Sequence, residues 1–236
     1  MIILINQNND LDLSKIIKMH SPAEENYIKA VYQITARQTE PAGTNALAEA
    51  LQTTAASVTD MLKRLSAKGL VVYAARQGCT LSDTGRQLAL QLLRKHRLWE
   101  TFLFEKLDFS WDEVHELAEQ LEHIQSDELI NRLDVFLGCP QFDPHGDPIP
   151  NAAGQLASRR QLPLASLPLC QPATIVGVGM HDPAFLQYLD YMGLRLGTQV
   201  EVLECFGYDL SLRIALPQGE ERVVSHKVAQ HLLVGA

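Results

Sequence analysis

The order of elements between Thr44 and Leu81 narrows the possible folds more than any other stretch of this chain. Thr44–Leu51 puts Leu47 and Leu51 on one helical face, and Gln52-Thr53-Thr54 follows as a polar turn. Ala55–Lys68 is a second helix with Val58, Met61, Leu62 and Leu65 facing inward. Gly69 stands where a glycine ends a helix. Leu70-Val71-Val72-Tyr73 is β-rich, Arg76-Gln77-Gly78 is a turn, and Cys79-Thr80-Leu81 is a returning strand. Two helices across a tight turn are common in ordinary helical domains. Two helices, a glycine stop and a hairpin in that order make a more demanding pattern. It describes a winged helix-turn-helix, whose second helix lies in a DNA major groove.

The exposed start of that second helix carries Thr54, Ala56, Ser57, Thr59 and Asp60. Small hydroxyl and methyl groups suit contacts to the DNA backbone and to thymine methyls. No arginine or glutamine is aimed at base edges in the first turn, so readout of DNA shape is expected to contribute. Lys63, Arg64 and Arg76 are the candidate phosphate contacts. The net charge of −8 does not advertise a nucleic-acid partner. Between Thr44 and Arg86, however, Lys63, Arg64, Lys68, Arg76 and Arg86 outnumber Glu49, Asp60 and Asp83.

The rest of the chain divides by pattern. Residues 1–20 read as an N-terminal extension. Ser21-Pro22-Ala23-Glu24 is a helix start that opens the winged helix-turn-helix domain, 21–86. Long apolar periodicity from Thr84 to Leu107, then helices over Asp112–Leu121 and Ser126–Leu137, give a helical domain, 87–138. Residues 139–172 are rich in Pro, Gly, Ser and Ala and read as a linker. Residues 173–236 contain short strands and one helix, Asp182–Met192, and predict a small β-barrel domain. The fold class is mostly α. The four cysteines, Cys79, Cys139, Cys170 and Cys205, form no CxxC pair, which fits a reducing compartment. MIILI is too short for a secretory core, and no apolar run approaches ~20 residues. A cytoplasmic chain with no membrane partner is expected.

Chemistry concentrates between His96 and His123. His96 and Glu100 are four residues apart on the long helix; His115, Glu119, Glu122 and His123 follow at i, i+4, i+7 and i+8 on the next. At 3.6 residues per turn these four span roughly 100°. Two imidazoles and two carboxylates on one face are costly to bury without a cation. Mixed nitrogen and oxygen donors suit Mn²⁺, Fe²⁺, Co²⁺, Ni²⁺ or Zn²⁺. Spacing alone does not choose between such a site and a solvated helix face. Val114, Leu117, Ala118 and Leu121 show that the helix is half buried.

RKHRLWETFL and DEVHELAEQLEHIQSDELINRL resemble the dimerisation region of the diphtheria toxin repressor and manganese transport regulator family. AEENYIKAVYQI, ASVTDMLKRLSAKGLVVY, LSDTGRQLA and GDPIP resemble other parts of it, and LRLGTQVEVLE and VVSHKVAQHLLV resemble its SH3-like C-terminal domain. The likeness runs from about residue 22 to the end. It implies an ancillary site of His96, Glu100 and His115. It implies a regulatory site of Glu119, Glu122, His123 and Asn26, linking the DNA-binding head to the dimerisation helices. Glu119 stands where iron-type members carry Cys, which points to the manganese type. Asn26 matches neither type, but its amide oxygen can still bind a hard cation. Lys29 stands where manganese-type members often carry a second acid. His181 or Asp182 falls near the position of further ancillary ligands in iron-type members, although a helix N-cap suits Asp182 better.

The expected function is thus a metal-dependent transcriptional repressor, not an enzyme. Mn²⁺ first, or Fe²⁺, acts as corepressor, and other divalent transition metals can substitute. The expected partners are a palindromic double-stranded DNA operator and a second copy of the chain, with no small organic substrate. The homodimer is expected to form through Leu117, Leu121, Leu129, Leu133 and Phe136. Two alternatives stay open on the residues alone. A metal-independent winged-helix regulator leaves the His/Glu array idle, and a metallohydrolase needs a general base that the sequence does not offer.

Overall fold

A computed structural model describes residues 20–37 and 40–235, so the extension expected over 1–20 lies outside the described residues except for His20. The chain forms two compact units: residues up to Leu92 with His123–Glu128, and Leu93–Glu122 with residues from Leu129 onward.

The first unit opens with α1 (Pro22–Arg37). Ser21 Oγ accepts from the Glu24 backbone N–H at 3.3 Å, and Glu24 Oε2 accepts from the Ser21 N–H at 3.1 Å. This reciprocal capping box satisfies two amides that a helix start leaves unpaired. Next come α2 (Thr44–Ala50) and α3 (Ala55–Ala67), then an antiparallel hairpin of β1 (Val71–Ala74) and β2 (Gly78–Leu81). Thr54 caps α3 by accepting from the Ser57 N–H. Gly69 closes α3 at φ 72°, and the Leu70 N–H reaches back to the Leu65 carbonyl. A side chain would strain that left-handed turn. Ala42 pairs with Cys79 as a short third strand against the hairpin. Ile28, Val31, Leu47, Val58, Leu62, Leu65, Leu88 and Leu92 fill one core, so the inward faces of both helices are those expected from the sequence.

The long helix α4 (Asp83–Leu107) gives its first turns to this unit and the rest to the second. The second unit adds α5 (Val114–Leu121), most of α6 (Asp127–Phe136) and a small core of Leu98, Ile130, Leu133 and Ile149. Its C-terminal part is a sheet in the order β3-β8-β4-β5-β6-β7, with α7 (Pro183–Tyr191) and the short α8 (His226–His231). The strands are β3 (Leu162–Pro163), β4 (Pro172–Val178), β5 (Gln199–Cys205), β6 (Leu212–Ala215), β7 (Glu221–Val224) and β8 (Leu232–Gly235). Ile175, Leu189, Val202, Ile214 and Val234 lie in its core.

Two expectations need correction. The sheet is not a closed barrel: among the described residues β3 and β7 remain edges. β3 is two residues long and ends in Pro163, which has no N–H to carry the ladder further. The stretch 139–172 is also more than a linker. Leu162 and Pro163 pair with β8, and Leu164 and Leu167 are buried in the sheet core. No helix among the described residues is long and apolar enough to cross a membrane.

Candidate metal centre and DNA-contacting surface

The start of α3 is open to solvent. Thr54, Ala56, Ser57, Asp60, Lys63 and Arg64 are exposed and Thr59 is half buried. All three hydroxyls are already engaged. Thr54 Oγ1 caps the helix and lies 3.0 Å from Ser57 Oγ, and Thr59 Oγ1 donates to the Ala55 carbonyl at 2.9 Å. Asp60 pairs with Lys63 at 3.6 Å, and Arg64 lies 3.7 Å from Glu24. Arg76 is exposed in the hairpin turn at φ 67°. The surface therefore offers exposed cations and methyl groups more than free hydroxyl donors, which suits phosphate contact and shape readout.

In the second unit, the i, i+4 spacing on α4 stacks His96 against Glu100, with His96 Nε2 2.9 Å from Glu100 Oε1. His115 on α5 completes the group: its Nδ1 is 3.1 Å from Glu100 Oε1 and 3.1 Å from His96 Nε2. The other face of the His96 ring meets the C-terminal end of α5. His96 Nδ1 is 2.6 Å from Glu122 Oε2 and 4.0 Å from Glu119 Oε1, and His115 Nε2 is 3.7 Å from the same Glu119 oxygen. His96, Glu100 and Glu122 are buried, and His115 and Glu119 are partly exposed. Two groups of potential ligands thus share His96.

A third group, Glu100 with Asp143 and His145, is buried throughout and was not anticipated. Its only sequence signal was an Asp-Pro-His triplet inside a run rich in proline and glycine. Two arginines hold this loop. Arg97 bonds Asp147 at 3.0 Å and the Pro148 carbonyl, and lies 3.4 Å from Asp143. Arg159 donates to the Gly146 and Val176 carbonyls and stacks 4.0 Å over Phe142. At Gly146, with φ 88°, a Cβ would stand 2.1 Å from the Val176 oxygen, so only glycine fits. The loop lies against β4, where the Val178 N–H donates to the His145 carbonyl at 3.0 Å.

Electrostatics match this crowding. Burial alone would raise the Glu100 carboxyl, but His96, His115 and His145 hold it well below its usual range. Burial, with repulsion from Glu100 and Asp147, pushes Asp143 up to about 7. Burial disfavours the charged His145 ring, but Glu100 and Asp143 outweigh it and raise it to about 9. His181 stacks 4.6 Å from His145 and lies 3.7 Å from Asp147; burial and the His145 charge press it down to about 4. Asp182 caps α7 by accepting from the Phe185 N–H at 3.1 Å, as expected of an N-cap.

The set expected at the regulatory position is divided between the units: Glu119 and Glu122 belong to the second, Asn26 and His123 to the first. Within the first unit His123 Nδ1 is 2.6 Å from Glu25 Oε2, a carboxylate next to Asn26 that sequence reading passed over. Donor chemistry fits a divalent cation. Asn26 Oδ1 is buried and has no hydrogen-bond partner among the described residues. Orphaned buried lone pairs of this kind are costly unless something binds them.

Residues 19–79 match the family model described as iron dependent repressor, N-terminal DNA binding domain, and 82–151 match the iron dependent repressor metal binding and dimerisation domain. A solved structure described as a manganese-dependent transcriptional repressor complex with manganese is 33% identical with a TM-score of 0.80, matching 90% of this chain and 99% of that one. The chain belongs to the diphtheria toxin repressor family. Residues 162–235, which include the open sheet, match the FeoA domain. Within the family, the diphtheria toxin repressor of Corynebacterium diphtheriae is 29% identical over 197 residues, 78% of this chain and 85% of that protein. A further 86-residue match, 45% identical, is to a probable metal transport system membrane protein of Chlamydia trachomatis; it spans only 19% of that protein. The family is one of DNA-binding repressors, not enzymes.

Proposed function

We propose that this protein is a cytoplasmic transcriptional repressor that binds palindromic operators as a homodimer when Mn²⁺ or Fe²⁺ is bound. Genes of metal homeostasis are its expected targets. The observation that carries this reading is a buried imidazole–carboxylate array in the same chain as a capped winged helix. Glu100, Glu122 and Asp143 are buried carboxylates around His96, His115 and His145. Acids in one buried cluster repel each other, and Asp143 is raised by burial and by that repulsion. A bound cation supplies the positive charge and fixed geometry that such a cluster needs.

His96, Glu100 and His115 are proposed to form one set of ligands. Glu119, Glu122, His123 and Asn26 are proposed to form the regulatory set. Asn26 and His123 come from the unit that carries the recognition helix α3, and Glu119 and Glu122 from the other. Glu119 presents oxygen instead of sulfur, which removes a bias toward softer ions and favours a response to Mn²⁺.

The homodimer is supported by apolar side chains left in water. Val135 and Phe136 on α6 are 71% and 64% exposed, and Phe104, Leu107 and Leu129 are also exposed. Leu133, expected at the same interface, instead packs in its own chain's core. The decisive test is a gel shift on an operator fragment in chelator and then with Mn²⁺ or Fe²⁺. Tight binding only with metal is expected. Equal affinity in both conditions favours the metal-independent regulator and rejects the switch.

A further inference from the structure

We infer that Glu25 is a positioning residue: it holds the Nδ1–H of His123 and so leaves Nε2 as the nitrogen presented to the metal. This rests on the reading of His123 as a ligand, and it adds a residue that reading does not contain. Glu25 sits in the first turn of α1 and is fully buried. A carboxylate is seldom buried without partners, and both oxygens here are engaged. Oε2 lies 2.6 Å from His123 Nδ1, and Oε1 accepts from Gln125 Nε2 at 3.0 Å. A carboxylate has no proton to give, so the imidazole donates across the short contact. A neutral imidazole carries one N–H. With that proton on Nδ1, the lone pair is on Nε2. Gln125, two residues along, pins the second oxygen, so the carboxylate cannot turn away from the ring. Carboxylate behind imidazole is the arrangement that fixes tautomer and ring orientation in metal sites generally.

The neighbouring residue extends the consequence. Glu24 accepts from Lys68 at the end of the recognition helix, at 2.8 Å. Consecutive helical residues point ~100° apart. One turn of α1 therefore grips the ligand-bearing segment with Glu25 and the recognition helix with Glu24.

The test uses the full chain without metal, labelled with ¹⁵N at histidine and held at one neutral pH. His123→Asn assigns the ring signals. Wild type is expected to show His123 in the Nδ1–H tautomer, and Glu25→Gln is expected to show a mixture. Mn²⁺ affinity is then measured in a double-mutant cycle. Glu25→Gln alone is expected to weaken binding ~10–100-fold, and to add little once His123→Asn is present. An Nε2–H tautomer in wild type overturns the inference, and this readout stands even if Glu25→Gln fails to fold. So does an equal loss from Glu25→Gln in both backgrounds, which marks a purely structural role. If His123→Asn leaves Mn²⁺ affinity unchanged, His123 is not a ligand and the inference falls with it. Metal-activated DNA binding in the gel shift is judged separately.

Discussion

Lys68 Nζ lies 2.8 Å from Glu24 Oε1 and 2.9 Å from Oε2, joining the residue that closes the recognition helix to the capping box that opens α1. The same carboxylate therefore serves as helix cap and as ion-pair acceptor. Burial alone would raise the Glu24 carboxyl, but Lys68 and the Ser21 amide hold it below its usual range.

Replacing Lys68 with Met is expected to cost about 1 kcal/mol, a modest value because Lys68 is 41% exposed and the pair is partly screened. The sign of its pH dependence follows from the depressed carboxyl. A lowered folded-state pKa gives stability that is fully present above the unfolded value and is lost as pH falls through the folded one. The gap between wild type and Lys68→Met should be complete at neutral pH and close in acid. Urea titrations across that range check it; a gap that is constant with pH shows that the ion pair does not set the difference.

Arg76→Ala should weaken operator binding about equally for all sequences and reduce the slope of log affinity against log salt by about 1. Its motivation is an exposed guanidinium at the tip of the hairpin. Loss of discrimination at one base pair with an unchanged salt slope would instead mean that Arg76 reads a base.

His96→Ala should lose more bound metal than His115→Ala, because His96 lies in two of the ligand groups and His115 in one. Calorimetric titration with Mn²⁺ reads both stoichiometry and affinity. Matching losses in the two variants would show that the groups sharing His96 do not bind separately.

Metal choice should turn on two positions. Glu119→Cys is expected to shift DNA-binding activation toward Fe²⁺, since a thiolate favours softer ions. Asn26→Asp is expected to tighten Mn²⁺, since an anionic oxygen replaces a neutral one; wild-type activation is expected in the micromolar range, ~8 kcal/mol of binding. Activation curves for both metals test this, and an unaltered Mn²⁺-to-Fe²⁺ ratio in Glu119→Cys would remove Glu119 as the selectivity ligand.

Thiol labelling offers a check on the fold itself. Burial pushes the Cys79 thiol up to about 12, while Cys139, Cys170 and Cys205 are exposed. The thiolate is the reactive form. Three cysteines should react in the native protein and Cys79 only after denaturation. Rapid native labelling of Cys79 would contradict the Ala42–Cys79 strand pairing.

What could be read ahead of the structure followed from local rules. Ser21 and Glu24 announce a helix start and Gly69 a helix end, because each signal concerns residues a few positions apart; the Thr54 cap, inside what reads as a polar turn, is added by the structure. His96 with Glu100, and His115 with Glu119, are legible for the same reason, each pair being four residues apart on one helix, whereas grouping His115 with His96 and Glu100 rests on the family resemblance. Asp143 and His145 are not legible in this way. They lie in a proline-rich loop without periodicity, held by Arg97, 46 residues before Asp143, and by Arg159, 14 residues after His145. Glu25 was passed over because its partner, His123, is nearly a hundred residues away. The sheet's failure to close depended on how short β3 is, which no alternation pattern reveals.

The two arginine anchors have a practical consequence. Arg97 fixes the chain at Asp147 and Pro148, and Arg159 fixes it again at Gly146 and Val176. Ile149 and Pro150 are buried, but Asn151, Ala152, Ala153, Gln155 and Leu156 between the anchors are exposed. Doubling the length of a flexible loop costs only about 0.6 kcal/mol of closure entropy. A peptide tag or small reporter domain spliced between Ala152 and Ala153 would open the turn that Asn151 closes onto Ala153 and Gln155 but should leave both anchors in place, making this surface bend a site from which the protein's occupancy of DNA can be followed without altering either terminus.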